Sequence, residues 1–253
     1  MHTLKCFVLV SLLAALLCGC SPVAPPSVEP AVTSVAVTPP PAGIPDLERY
    51  AFPAAIDPSQ RYLFYLHGKI IEDQGLPAVS PVYGAYEYPA ILEKLASYGL
   101  VVISEQRPRD ADGIAYAQKY AGQITRLLEA GVPPERITVV GASKGAAIAA
   151  EVSDLLKNPQ LNYVLLASCH PDVVRDWLRR GLALSGNVLA ISDAADTEYS
   201  GSCQAIFERS AGQGLARHAE IVLQVGSGHG IVYQPLDEWL LPAVQWAQQD
   251  FPE

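Results

Sequence analysis

One short stretch, Ile137-Thr-Val-Val-Gly-Ala-Ser-Lys-Gly-Ala-Ala-Ile-Ala149, carries a serine framed by two glycines. The β-branched run before it predicts a strand, and the small residues after it predict a helix. Ser143 then sits on a sharp strand-to-helix turn with its hydroxyl exposed, and the absent side chains of Gly141 and Gly145 let the chain pass close to itself. A serine hydroxyl at its free pKa is a weak nucleophile. It needs a base within hydrogen-bond reach, and the base needs a carboxylate to fix its tautomer. The chemistry in question is attack on an acyl carbon, so the chain is searched for a histidine, an acid and oxyanion donors.

The base is found in Val225-Gly-Ser-Gly-His-Gly-Ile231, where glycines on both sides leave the His229 imidazole free to approach a site. For the acid, the segment Val188-Leu-Ala-Ile-Ser-Asp-Ala-Ala-Asp-Thr-Glu198 offers three carboxylates. Asp196 is preferred because it stands further past the strand end, where the chain can turn toward the histidine. Asp193 is the alternative, although a carboxylate so near the strand can cap the turn through its side chain, and Glu198 is the third choice. Negative charge developing on a substrate carbonyl calls for backbone N–H groups aimed at it. One comes from Lys144, the residue after the nucleophile. The other is expected from the loop after Tyr62-Leu-Phe-Tyr-Leu-His-Gly-Lys69, with Lys69 the first choice and Ile70 the second. His67 is assigned to the structure of that turn. Tyr83, Tyr86, Glu87 and Tyr88, together with Glu105, Arg107 and Arg109, lie where they could reach the mouth of the site, but a salt-bridged, aromatic-packed loop is the preferred reading of them. His170 reads as a surface loop residue, and Trp177, Trp239 and Trp246 as core.

Elements of two kinds must hold these residues. Short apolar runs at 61–66, 100–104, 137–140, 163–167, 188–192 and 220–225 read as strands. Segments 88–98, 113–130, 146–156, 172–181, 199–212 and 235–249 carry apolar residues three or four apart and read as helices. Strands that are apolar throughout and alternate with helices indicate a parallel sheet covered on both faces, a doubly wound α/β domain. Gly99, Gly131 and Gly181 stand where helices end, and Pro133-Pro134 stops the second long one. The intervals between strands are short, so no large cap domain is expected and the site should be open.

Taken together, His67-Gly68, then Gly141-x-Ser143-x-Gly145, then Asp196, then Gly228-His229-Gly230 resembles the α/β-hydrolase superfamily over about residues 60–250. The resemblance implies a serine hydrolase of esterase type whose triad runs in the order Ser143, Asp196, His229. An acyl-enzyme would form and be released by water, with no metal or organic cofactor required. The substrate would be small and acyl-bearing. Two lysines depart from the common pattern. Lys69 replaces the Gly or aromatic residue usual after His-Gly, and Lys144 fills the variable position of the serine motif. Both keep their backbone donors, but two ammonium groups could favour an anionic substrate unless local carboxylates pair them. The same fold also serves amide, peptide or thioester hydrolysis, and a non-catalytic envelope binding module is the reading from another class.

The N-terminus has a different logic. Lys5 followed by an apolar run to Leu17 has the form of a secretory signal and is too short for a spanning helix. Its end, Leu17-Cys-Gly-Cys20, resembles a bacterial lipobox. That implies a signal peptide at 1–19, lipid on Cys20 and attachment to the cell envelope; Ser21 after the cysteine resembles the pattern directed to the periplasmic face of the outer membrane. Residues 20–45, rich in Pro, Val, Ala, Ser and Thr, read as a lipidated tether, and 46–253 as the catalytic domain. Cys169 and Cys203 remain in an oxidising compartment, where a disulfide and two buried thiols are both compatible with the sequence. The net charge of -9 is dispersed and forms no basic stripe, which disfavours nucleic acid as a partner.

Overall fold

The computed structural model describes residues 47–251. The expected signal peptide, Cys20 and the whole of the expected tether lie outside these described residues.

Six strands form one sheet in the order β4-β1-β5-β6-β7-β8, all neighbours parallel. They are β1 (Tyr62–Leu66), β4 (Val101–Ile103), β5 (Ile137–Ala142), β6 (Asn162–Leu166), β7 (Gly186–Asp193) and β8 (Leu215–Leu223). A two-residue hairpin, β2 (Val79–Ser80) with β3 (Gly84–Ala85), lies apart from the sheet. The chain order starts at β1, steps out to β4, and returns past β1 to β5. At that reversal the loops after β1 and β5 diverge to open a crevice at the carboxyl ends of the strands.

Strands β1, β5 and β6 are buried at every position, as their continuous apolar composition requires. The helices are α1 (Lys69–Gln74), α2 (Tyr88–Ala96), α3 (Gly113–Glu129), α4 (Lys144–Leu156), α5 (Pro171–Arg180), α6 (Gln204–Ser210) and α7 (Asp237–Ala247). Two apolar cores lie on the two faces of the sheet, one containing Trp177 and the α3 and α4 side chains, the other Trp239, Trp246 and the α2 side chains. Truncating any of these buried tryptophans should cost about 3–5 kcal/mol. Gly181 closes α5 in the left-handed conformation, its N–H bonded to Leu178 O at 3.1 Å.

Besides the β2–β3 hairpin, which was too short to be expected, three elements differ from the sequence expectation. Helix α1 was not expected: it has only six residues and too few turns to display a period. The helix expected over 199–212 is confined to Gln204–Ser210, because Ser200 pairs instead with Cys169 in an isolated β-bridge. Strand β8 begins at Leu215, five residues before the expected start, and its exposed and half-buried residues show that this edge strand is not covered on both faces.

Candidate active site

The turn after β5 puts Ser143 at φ 54° and ψ -118°, a backbone region that a non-glycine residue occupies at a cost of about 1–3 kcal/mol. The flanking glycines make this geometry possible. A Cβ on Gly141 would lie 2.2 Å from Gly145 O, and one on Gly145 only 1.9 Å from Leu66 O, so α4 packs directly against β1 backbone. The turn holds the hydroxyl up at the end of the sheet.

Residues predicted from three distant segments meet there. His229 Nε2 lies 2.9 Å from Ser143 Oγ, and His229 Nδ1 lies 2.7 Å from Asp196 Oδ2. With Nδ1–H donating to the carboxylate, Nε2 is the free acceptor facing the hydroxyl. Asp196 also accepts from Ser200 Oγ at 2.5 Å and from Tyr199 N–H at 3.2 Å. Burial pushes its pKa upward, but the His229, Ser200 and Tyr199 hydrogen bonds outweigh burial and hold the carboxyl below its ordinary value.

Asp193, the alternative acid, faces elsewhere. It ends β7 and gathers the N–H groups of Ala195, Gly226, Ser227 and Gly228, at 3.1, 3.3, 2.7 and 3.1 Å. Burial raises its pKa and these bonds more than reverse the effect. One carboxylate thus pins the backbone that carries His229 while the other touches the imidazole. Glu198 makes neither contact and sits at the lip of both clefts beside Ser143.

Lys69 and Lys144 are the first residues of α1 and α4, and neither helix start has a side-chain cap. Their N–H groups therefore lack an intrahelical acceptor. The two starts are neighbours, since a Cβ on Gly68 would lie 3.7 Å from Ser143 Cβ. Ile70, the second choice, is one residue further into α1. Both ammonium groups have carboxylate partners: Lys69 Nζ meets Asp73 at 2.5 Å, and Lys144 Nζ meets Glu72 at 2.5 Å.

His67 is buried beneath this loop. Arg107 N–H donates to its Nε2 at 2.9 Å, so the proton sits on Nδ1, 2.8 Å from Gly68 O. Burial and the adjacent guanidinium depress its pKa to about 3. The other polar loop residues are paired too, Glu105 with Lys119 at 2.5 Å and Arg109 with Asp73 O. Tyr88 is buried, its hydroxyl 2.6 Å from Ser104 Oγ, whereas Tyr83 and Tyr86 reach the crevice.

Two clefts open beside Ser143. One, of about 410 Å³, is walled by Ala147, Ala167, Cys169, His170 and Val173. The other, of about 530 Å³, is walled by Tyr83, Tyr86, Tyr233, Val232 and His229, with Gly68 and Lys69 at its edge. Glu198 and Tyr199 border both, and no cap domain covers them among the described residues. His170 also accepts from Asp172 N–H at 3.3 Å as the N-cap of α5. Cys169 and Cys203 are joined in a disulfide, Cα to Cα 5.2 Å, which staples the wall of the first cleft to the segment following Asp196. Ser200, Tyr199, Tyr233, Val173 and Glu72 were not singled out in the sequence. Ser200 carried a faint signal, four residues after Asp196; the others look like ordinary loop, core or helix residues until the chain is folded.

Solved structures match this arrangement of strands and helices. SOBER1 of Arabidopsis thaliana is similar at 12% identity and a TM-score of 0.51, over 76% of this chain and 99% of that one. The Pyrococcus furiosus esterase Pf2001 is similar at 15% identity and a TM-score of 0.54, over 76% and 82%. Esterase PE8 is similar at 16% identity and a TM-score of 0.50, over 79% and 96%. The chain has the α/β-hydrolase fold. At such identities the likeness concerns the fold alone. No family model matches the sequence, and no curated relative does. Within this fold, the Ser143 turn follows β5, while the loops carrying Asp196 and His229 follow β7 and β8.

Proposed function

We propose that the protein is a serine hydrolase cleaving an ester or related acyl bond. The observation that carries this reading is the hydrogen-bond chain from Ser143 Oγ through His229 to Asp196, both links under 3 Å, at the foot of two open clefts. The description of two similar folds as esterases supports it.

In this reading Ser143 Oγ attacks the acyl carbon as Nε2 of His229 takes its proton. Asp196 keeps the imidazole in the required tautomer and stabilises the imidazolium. The N–H groups of Lys144 and Lys69 receive the oxyanion. The same Nε2 then protonates the leaving group, which must therefore depart on the side that His229 faces, the tyrosine-walled cleft. The acyl group occupies the cleft by Ala147 and Val173. Water enters by the vacated side and, deprotonated by His229, frees the acid. Lipid on Cys20 would hold the enzyme at the cell envelope, with residues 20–45 as its tether; metabolic labelling with a palmitate analogue, lost in Cys20→Ala, tests that part.

Hydrolysis of p-nitrophenyl acetate and butyrate by the purified domain tests the chemistry. Ser143→Ala should lower kcat at least about 10³-fold. Equal rates for the two proteins would remove the proposal.

A further inference from the structure

Glu72 is a carboxylate whose side chain has no exposed surface, yet it is the meeting point of two cations. Arg107 Nε donates to its Oε1 at 2.7 Å, and Lys144 Nζ donates to its Oε2 at 2.5 Å. The Arg107 side chain is equally buried, while that of Lys144 is one-quarter exposed. Lys144 is held further by Ala111 O at 2.7 Å. Arg107 also donates from Nη2 to His67 O, and its backbone N–H fixes His67, whose ring holds Gly68 O at 2.8 Å.

The chain positions of these partners matter more than their charges. Lys144 directly follows Ser143. Glu72 lies on α1, three residues after Lys69, and His67-Gly68 leads into that helix. The ion pair thus spans the gap between the two helix starts assigned above as the oxyanion donors. A carboxylate stripped of water cannot leave its cations without a penalty of several kcal/mol, so this bridge has little freedom to lengthen.

We propose that Glu72 is the positioning residue of the oxyanion hole, a strut that, through Lys144 and Arg107, sets the separation of the Lys69 and Lys144 N–H donors. The inference rests on the reading of Ser143 as nucleophile. It gives the lysine after the serine a role unrelated to substrate charge: its ammonium faces inward and is held by Glu72 and by Ala111 O. Oxyanion donors act only when they are aimed at the place where charge develops, and a displacement near 1 Å can cost on the order of 10²-fold in rate.

Lys144→Met is the decisive variant, because it keeps the backbone donor and most of the side-chain length and leaves the buried Glu72–Arg107 pair intact. Its kcat on p-nitrophenyl acetate should fall on the order of 10²-fold with KM changed less than about threefold. Its affinity for a trifluoromethyl ketone, which forms an oxyanion on Ser143, should fall by a similar factor. Glu72→Gln should behave alike, and the double variant should be little worse than either single one, since both break one strut. A merely structural role would lower Tm without this split between kcat and KM. Lys144→Met with kcat within twofold of the parent, beside an inactive Ser143→Ala, overturns the strut and leaves the nucleophile standing. An active Ser143→Ala overturns both.

Discussion

The two flanks of Ser143 are held by different forces. On the flank of β1 and β4, Glu72, Arg107, Lys144 and His67 form a buried polar hub of side chains drawn from three segments. On the flank of β7 and β8, Asp193 gathers four backbone N–H groups, Asp196 holds His229, and a disulfide ties the acid segment to the neighbouring loop. On the proposed mechanism the first flank supplies oxyanion donors that must not move, and a carboxylate and guanidinium closed off from water serve that purpose. The second, on the same mechanism, carries an imidazole that exchanges protons twice in a turnover, and there the loop backbone is fixed while the outer ring nitrogen faces Ser143.

Perturbing each flank separately should expose this division. The largest effect is expected from Asp196→Asn, which preserves shape but no longer enforces the tautomer: kcat should drop on the order of 10⁴-fold in a protein that still unfolds cooperatively, measured by ester hydrolysis beside thermal unfolding. A loss of only a few fold would mean that the β7–β8 flank does not orient the base. Next is the disulfide. Cys203→Ser opens a loop of 34 residues and should cost roughly 3–4 kcal/mol of stability by urea unfolding. Its effect on kcat should be much smaller than that of Asp196→Asn, because the His229 loop stays pinned by Asp193.

Asp193→Asn follows, at about 1–3 kcal/mol, since it weakens several charge-assisted bonds without removing them. The folded-state pKa of Asp193 is depressed, so its stabilisation is complete above the ordinary carboxylate value of 3.8 and is lost as pH falls through the lower folded value. The stability gap between parent and variant should therefore be constant from pH 7 to about 5 and close below about 4. A gap that closes near neutrality would contradict the assignment. His67 gives the other flank a different signature. Its pKa is depressed to about 3 from 6.5, so below 6.5 the unfolded chain takes up the proton first. Stability should fall with acidification across that window by up to about 1.4 kcal/mol per pH unit, a slope that His67→Gln should reduce. The smallest effect is expected from Lys69→Met, whose ion pair with Asp73 is exposed: no measurable shift in thermal unfolding and a change under about threefold in kcat, because the backbone donor remains.

The contrast between the flanks also accounts for what the sequence disclosed. Ser143, His229 and Asp196 are each marked by local context, a glycine-framed turn or a position just beyond an apolar strand, and the sheet order brings them together. The six main strands were legible because burial on both faces forces continuous apolar runs. The early half of β8, Leu215-Ala-Arg-His-Ala219, was not, since an edge strand tolerates exposed polar residues. Helix α1 and the β2–β3 hairpin are too short to show a period. Glu72 escaped notice because its partners stand 35 and 72 positions away, and nothing local distinguishes a glutamate buried in a hub from one in solvent. Arg107 appeared only as a member of a salt-bridged loop, which describes its pairing but not its depth.

The proposed mechanism turns on Ser143 as a nucleophile activated by His229. Intact-mass and peptide analysis after treatment with a fluorophosphonate tests it most directly. One covalent adduct per chain is expected, located on Ser143, with labelling abolished in Ser143→Ala and slowed at least about 10³-fold in His229→Ala. An unlabelled parent protein, or labelling that proceeds equally well without His229, would contradict it.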